Sequence, residues 1–595
     1  MSYAAPLADM RFVLDGVAGI TAVAALPGYG AADPETVAAI LEAAAKFAES
    51  ELAPLNQPAD RIGSVLENGV VRTPPGFREA YARFVEGGWN GLAGDPEFGG
   101  QGLPLALSVP VAEILDAASM SFALCPLLNQ ASIELLQVYG SPEQKRLYLQ
   151  KLVSGEWTGT MNLTEPQAGS DLGAVATRAT AARDPRWGDH YRISGQKIFI
   201  SYGDHDLAPN IVHAVLARAE GGGPGSKGLS LFLVPKFLPD ADGKPGPRNA
   251  VRTLRLEEKV GIHASPTCVL AYEDAIGWRI GEEHRGLEYM FTMMNNARLQ
   301  VGVQGLAIAE RAYQQARDFA RTRVQGVPAG AADNAAALPI IHHADVRRML
   351  LSMRAAIEAM RGLAYYAAAT IDRARHHPDP AERARTQRRA DLLIPVVKAW
   401  CTDTGVAVAS TGIQIHGGMG YIEETGAAQH WRDARIAPIY EGTNGIQAND
   451  LVGRKLTRDH GAAAAELFAE IETTLTVLDR AGSGELSQLC RRLRTATEAA
   501  RTATTGLMSS DAAGAAAGAV PYLDLLGIVC GGWLFARQAL VAVKLLRDGR
   551  GDAAFLRAKL ATARFFAEHS LALAPARVPA IFCGATVLAF DPDQF

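Results

Sequence analysis

The chain has 595 residues, more than one hydrophobic core supports, so several domains are expected. Hydrophobic residues at 48% and charged residues at 20% exclude wholesale disorder, and a net charge of −5 gives no electrostatic footprint for nucleic acid. The six cysteines stand far apart with no C-x-x-C pair, which speaks against a zinc site or a disulfide framework and for isolated buried thiols in a reducing cytoplasm.

Residues 1–35 read as an N-terminal extension. Its start, MSYAAPLADMRFVLDG, has no basic region leading into an apolar stretch, so no signal peptide is expected. Over 36–156 apolar residues recur at helical spacing, as in AAILEAAAKFAESELAPL and SPEQKRLYLQKLVSG, the latter starting at Ser141 and stopping at Ser154-Gly155. Over 157–278 the period shifts toward two. YRISGQKIFISYG, NIVHAVLARA, GLSLFLVP and CVLAYED are short, β-branched and separated by turn residues, which predicts a compact antiparallel β domain.

Residues 279–458 return to helical spacing. LEYMFTMMNNARLQVGVQGLAIAERAYQQARDFARTR exceeds an average helix and is expected to break near its glycines. HHADVRRMLLSMRAAIEAMRGLAYYAAATIDRARHH is a second helix and Asp391 to Ala409 a third, while QGVPAGAADNAAALP (325–339) reads as an exposed, mobile loop. Residues 459–595, after Arg458-Asp459-His460-Gly461, form a further helical unit. Its most apolar run, Leu525 to Leu546, carries Arg537, Gln538 and Lys544, which favours a packed helix over a membrane span. The fold class is therefore mainly α with an inserted β domain.

Three segments could carry chemistry. Met161 to Asp171 (MNLTEPQAGSD) is a strand that stops at a proline and turns through Gly169-Ser170, exposing backbone N–H groups; alone it could equally be a plain β-turn. His416-Gly417-Gly418-Met419-Gly420-Tyr421 lets the backbone approach a phosphate, or simply ends a helix. Ile439 to Gln447 puts Glu441 at a Gly-containing bend before a helix, with Asn444 and Gln447 at the spacing of a helix-start box. A single such glutamate is more often an ordinary charged loop residue. The pairs His342-His343 and His376-His377 lack a third ligand, so no metal site is expected.

In order, TEPQAGSD, SGQKIFIS, the helix with Arg298, RTRVQG, QIHGGMGY with RDARI, and YEGTNGIQ resemble the acyl-CoA dehydrogenase family over roughly Pro34 to Arg458. The N- and C-terminal additions resemble its longer members, those acting on 3-methylthiopropanoyl-CoA among them. The resemblance implies a helical domain, a β-barrel domain and an FAD-binding four-helix bundle, followed by the C-terminal helical domain. It implies FAD as cofactor and Glu441 as the base that takes the α-proton of an acyl-CoA while hydride passes from the β-carbon to flavin N5, giving the trans-2-enoyl-CoA. Burial against flavin and acyl chain is expected to raise the pKa of Glu441.

The same resemblance assigns the remaining residues. Met161, Leu163, Thr164 and Gly169 fall in the flavin segment, and Ser170 reaches both cofactor and CoA. Phe199 covers the flavin face where relatives have tryptophan, and Ser201 reaches the N5/O4 edge where they have threonine. Arg323, Gln414, Gly417 and Gly418 embrace the FAD of a neighbouring subunit, and Thr443 is a further FAD contact, so a homodimer is implied. Asn295, Arg298 and Gly442 lie along the substrate. Some relatives carry the base beside this arginine; here that position is Ala297, which leaves Glu441. Electron-transfer flavoprotein is the expected acceptor and the cytoplasm the expected compartment, without nucleic acid or a membrane span. The alternatives are an acyl-CoA oxidase using O2 and a DNA-binding flavoprotein of the same fold.

Overall fold

In a computed structural model the chain is described from residue 3 to 595, apart from 241, 331, 333–335 and 482–485. Of the loop 325–339, residues 331 and 333–335 lie outside the described residues. Its other residues are mostly exposed, and a bridge between Val324 and Pro339 closes its base.

The N-terminal stretch is part of the core. Helix α1 (Leu7–Val13) buries Met10, Phe12 and Val13, and α2 (Pro34–Phe47) is capped by the Asp33 carboxylate, which accepts from the N–H groups of Glu35 and Thr36. The central helix α3 (Leu105–Tyr139) is buried along nearly its whole length and is kinked at Ser119, whose backbone (φ −159°, ψ 94°) is not helical.

Next comes a seven-stranded sheet: β1 (Thr158–Asn162), β2 (Arg178–Asp184), β3 (Gly188–Ser201), β4 (Ile211–Ala219), β5 (Leu229–Pro235), β6 (Val251–Leu256) and β7 (Thr267–Ile280). Strands β7, β3, β2, β4 and β5 pair in a closed circuit, a small barrel with β6 beside β7 and β1 beside β4. Its core is Ile193, Val215, Phe232, Val234 and Leu270 with their neighbours. The sheet is not wholly antiparallel as the strand pattern suggests. Strand β4 pairs in parallel with both β1 and β2, because the long connection from β1 lets the chain return in the same direction.

The bundle follows: α4 (Gly286–Thr322), α5 (Ala344–His376) and α6 (Pro380–His416). Helix α4 does not break at its glycines. A Cβ at Gly302 would lie 2.6 Å from Val397 Cγ1, and one at Gly305 would lie 2.5 Å from the Cys401 carbonyl oxygen. These glycines let α4 and α6 approach closely, so they serve packing rather than interruption. Helix α6 also extends well beyond the 391–409 expected, Asp379 capping its start. Short helix α7 (Asn444–Asp450) leads to the C-terminal unit: α8 (Ala462–Ala481), α9 (Ser487–Ser509), α10 (Ala519–Arg547) and α11 (Ala553–His569). Three helices, α3, α6 and α10, are long and apolar enough to cross a membrane, and their apolar windows are 94%, 78% and 78% buried inside the fold. Among the described residues all six cysteines are free, five of them buried.

Candidate active site

The bend before α7 puts two consecutive residues in the left-handed region, Glu441 at φ +58° and Gly442 at φ +83°. Glycine adopts this freely, whereas a side-chain-bearing residue there costs roughly 1–2 kcal/mol and persists only if its surroundings impose it. Several contacts do. Thr443 caps α7, its Oγ1 accepting from the Ile446 N–H at 3.3 Å. Gln447 Nε2 donates back to the carbonyls of Glu441 (3.3 Å) and Gly442 (3.1 Å). The Asn444 N–H donates to the Pro438 carbonyl at 3.0 Å. The helix-start spacing read at Asn444 and Gln447 is thus displaced by one residue: Thr443 supplies the cap, and Gln447 grips carbonyls instead of an N–H.

Around this turn lie two buried cations. Arg298, on α4, pairs with Asp450 at 3.2 Å and reaches Asn295 Oδ1 at 3.4 Å. A Cβ on Gly442 would lie 3.6 Å from Arg298 Nη2, so Gly442 and Arg298 are neighbours. Lys398, on α6, is fully buried and donates to Asn444 Oδ1 at 2.9 Å. Burial pushes the Glu441 carboxyl up to about 7, with Arg298 and Lys398 pulling the other way. Burial likewise brings the Lys398 ammonium down to about 7, opposed by Glu441. Ala297 is buried and offers no competing carboxylate. Beside Glu441, the Tyr440 hydroxyl donates to Gln304 Oε1, and Gln304 Nε2 reaches the buried Asp116 carboxyl at 3.4 Å.

The second element is a β-bulge. Pairing of β3 with β7 skips between Lys197↔Leu270 and Ile200↔Cys268, and Phe199 in the bulge has φ +59°. The bulge turns this ring outward, 60% exposed. It is braced by a buried ion pair: Lys197 Nζ donates to Glu165 Oε1 at 2.7 Å and to the Leu163 carbonyl at 2.8 Å. Glu165 also accepts from the N–H groups of Ala176 (2.7 Å) and Thr177 (3.1 Å), and the Ile198 N–H donates to the Thr164 carbonyl at 2.9 Å. Against the push of burial, Lys197 holds the Glu165 carboxyl at about 2. Leu163, Thr164 and Phe199 therefore lie together, with Met161 buried in β1. Ser201 pairs with Thr267, and its carbonyl accepts from Thr160 Oγ1 at 2.8 Å. Gly169 and Ser170 are exposed in the turn beyond.

A third group sits at the far end of α4 and α6. Phe319 stacks on His416 at 4.4 Å, which brings the α4 terminus with Arg323 beside Gln414, Gly417 and Gly418. All four are exposed, and nothing lies within 4 Å of where a Cβ would stand on Gly417 or Gly418. Among the described residues no hydrogen bond or ring contact joins this group to Phe199 or Glu441. No set of three or more His, Cys, Asp or Glu residues able to hold a metal occurs among the described residues.

Reading from sequence missed Lys398, Gln304, Asp116 and the Lys197–Glu165 pair. A lone lysine in the apolar run IPVVKAWC was a usable signal, because unpaired charge is seldom placed in a core. The ion pair spans 32 positions and has no local signature.

The sequence matches the acyl-CoA dehydrogenase N-terminal domain over 34–156, the middle domain over 160–275 and the C-terminal domain over 284–456. Residues 467–591 match the acetyl-CoA dehydrogenase C-terminal-like domain. The chain is 48% identical to 3-methylmercaptopropionyl-CoA dehydrogenase of Ruegeria pomeroyi and 34% identical to a broad-specificity linear acyl-CoA dehydrogenase of Mycobacterium tuberculosis, with 96% of both chains covered in each case. Its fold is similar to that of an acyl-CoA dehydrogenase from Bacillus anthracis solved with FAD, at 20% identity and a TM-score of 0.75 over 98% of this chain and 93% of that one.

Proposed function

The chain belongs to the acyl-CoA dehydrogenase family, and on that premise we propose that Glu441 is the base that takes the α-proton as an acyl-CoA is oxidised to its trans-2-enoyl thioester. The observation that carries this reading is the Glu441 turn: a carboxylate held in a costly left-handed conformation, with burial raising it to about 7. A base whose pKa lies near the operating pH is free to accept a proton yet basic enough to take one.

The residues fit FAD. Phe199 offers an exposed aromatic face next to Leu163 and Thr164, suited to a planar ring, and the turn at Gly169-Ser170 stands open beyond it. When bound, FAD supplies the oxidant and accepts the hydride equivalent lost from the β-carbon. Glu441 holds the α-proton, and its backbone N–H is the donor expected to face the thioester oxygen as enolate charge develops. Arg298, Asn295 and Gly442 line the substrate side of the turn, while Ser170 serves the CoA moiety.

Arg323, Gln414, Gly417 and Gly418 are read as contacts to the FAD of a second copy, with Thr443 a further contact. Their exposure, together with that of Met419, Tyr421 and Ile422, suits burial in a homodimer. Because the 48% identical relative is named for 3-methylmercaptopropionyl-CoA, the substrate class proposed is a short acyl-CoA with a thioether tail. Electron-transfer flavoprotein is the proposed acceptor. With the three apolar helices committed to internal packing, the proposed location is the cytoplasm.

Anaerobic bleaching of the flavin by acyl-CoAs of graded length, one carrying a thioether, tests the reading. Glu441→Gln should keep FAD and CoA binding and lose bleaching by roughly 10³-fold or more. Turnover retained within about tenfold of the parent would remove Glu441 from the role of base.

A further inference from the structure

We propose that Lys398 is a positioning residue for the base, fixing the Glu441 turn through Asn444 and holding the carboxylate form of Glu441 with its charge. Lys398 lies in the middle of α6 with no exposed surface. Its ammonium donates to Asn444 Oδ1 at 2.9 Å, and Asn444 Nδ2 donates to Thr402 Oγ1 at 3.0 Å and to the Ala399 carbonyl at 3.2 Å. Asn444 is the first residue of α7, so this clamp ties the start of α7 to α6 three residues after Glu441. Three further hydrogen bonds, two from Gln447 and one accepted by Thr443, set the shape of the turn; the clamp sets where it stands.

A buried ammonium with a neutral amide as its hydrogen-bond partner is costly unless an anion lies near. Among the described residues Lys398 has no ion pair within 4 Å. The charges that act on it are Glu441 from the turn, Asp403 on its own helix and the like-charged Arg298 from α4. Asp403 reaches the surface, yet burial still raises its carboxyl; Asn444 bonds it and Lys398 draws it back down, while Asp524 on α10 pushes it up. Arg298 is already committed to Asp450, which Arg454 also engages. The two cations beside Glu441 therefore differ. Arg298 acts on Glu441 the more strongly but has Asp450 as its own carboxylate, whereas Lys398 has no ion pair among the described residues and its charge is answered by Glu441 first and Asp403 second. Removing that charge raises the proton affinity of Glu441, since an opposite charge nearby favours the ionised form.

The test uses the full-length, FAD-loaded protein and two kinds of readout. One is the titration of the Glu441 carboxyl by infrared difference spectroscopy, the band being assigned by its loss in Glu441→Gln. The other is the acid limb of kcat/KM. In Lys398→Met both should move upward together, by roughly one pH unit. Lys398→Arg should restore much of the shift by restoring charge. If Lys398→Met does not fold, Asn444→Asp serves, because a carboxylate against the ammonium neutralises it and drives Glu441 in the same direction. Asn444→Ala keeps the charge and frees the turn, so kcat should fall by about tenfold. A purely structural lysine would lower FAD content or melting temperature and leave the Glu441 midpoint in place, and that outcome overturns the proposal. Full activity in Glu441→Gln would instead sink the assignment of the base, a failure that the infrared midpoint of Glu441 keeps distinct.

Discussion

Two buried charge clusters in this chain are built on opposite plans. Around Arg361 every charge is answered. The guanidinium bonds Glu113, Glu310 (2.8 Å) and Asp9, the Tyr365 hydroxyl donates to Glu113 at 2.6 Å, and Lys559 bridges Asp9 (2.6 Å) to Glu358 (2.8 Å). Around Glu441 the charges are answered sparingly, with no ion pair to its carboxylate among the described residues. The first cluster joins α1, α3, α4, α5 and α11, five elements spread over nearly the whole sequence. The second surrounds one turn that opens to a face. Dense mutual pairing makes charge a fastening; sparse pairing leaves a proton affinity free to be set near neutrality.

The comparison breaks most visibly if Arg361 is replaced. Arg361→Met would strand Glu113, Glu310 and Asp9 without their shared cation, and the expected loss is about 3–5 kcal/mol of stability by chemical denaturation. Flavin bleaching per FAD-loaded molecule should not change. A variant as stable as the parent would mean that the cluster tolerates an unpaired charge and fastens nothing. Glu441→Asp tests the other side. Drawing the carboxylate back by one methylene should slow bleaching by roughly 10²-fold, with FAD content preserved. Should it unfold the protein instead, the turn would be a fastening too.

Much of the architecture was legible because it is local. Helical period, strand period and turn residues placed the β domain between helices, and ordered motifs led to Glu441 and Phe199. What escaped was set by contacts across the sequence. Gly302 and Gly305 look like breaks until Val397 and Cys401 are seen pressed against them. The N-terminal extension looks like an appendage until Asp9 is found bonded to Lys559, 550 positions away. The motif at 164–171 marks a turn, but nothing in it announces that Lys197 braces the bulge presenting Phe199. The parallel pairing of β4 hides for the same reason: strand period tells which face is buried and is silent about direction.

The smallest effect separates the clusters most cleanly, because its pH dependence has opposite sign in the two. Glu441 is a carboxyl whose folded pKa is raised, from 4.5 to about 7, so the folded chain binds the extra proton. It therefore destabilises the fold fully above pH 7, the penalty fading as pH falls toward the unfolded value. Glu441→Gln removes a charge that the fold resents, so the variant should be more stable than the parent at pH 8 and match it near pH 4.5. The gain should be about 1–2 kcal/mol, less than the full shift implies, because the side chain is partly exposed and water screens it. Asp9, in the Arg361 cluster, behaves oppositely. Although burial pushes it upward, Lys559 and Arg361 hold its carboxyl at about 2, so it stabilises the fold above its unfolded value of 3.8 and loses that contribution as pH falls toward 2. Asp9→Asn should thus cost stability at pH 8, where Glu441→Gln adds it. Urea unfolding of the Glu441 variant at pH 5 and pH 8, and of the Asp9 variant at pH 5 and pH 3, reads the two slopes. If Glu441→Gln shifted stability equally at both pH values, the raised proton affinity of the turn, and with it the contrast between the clusters, would fall.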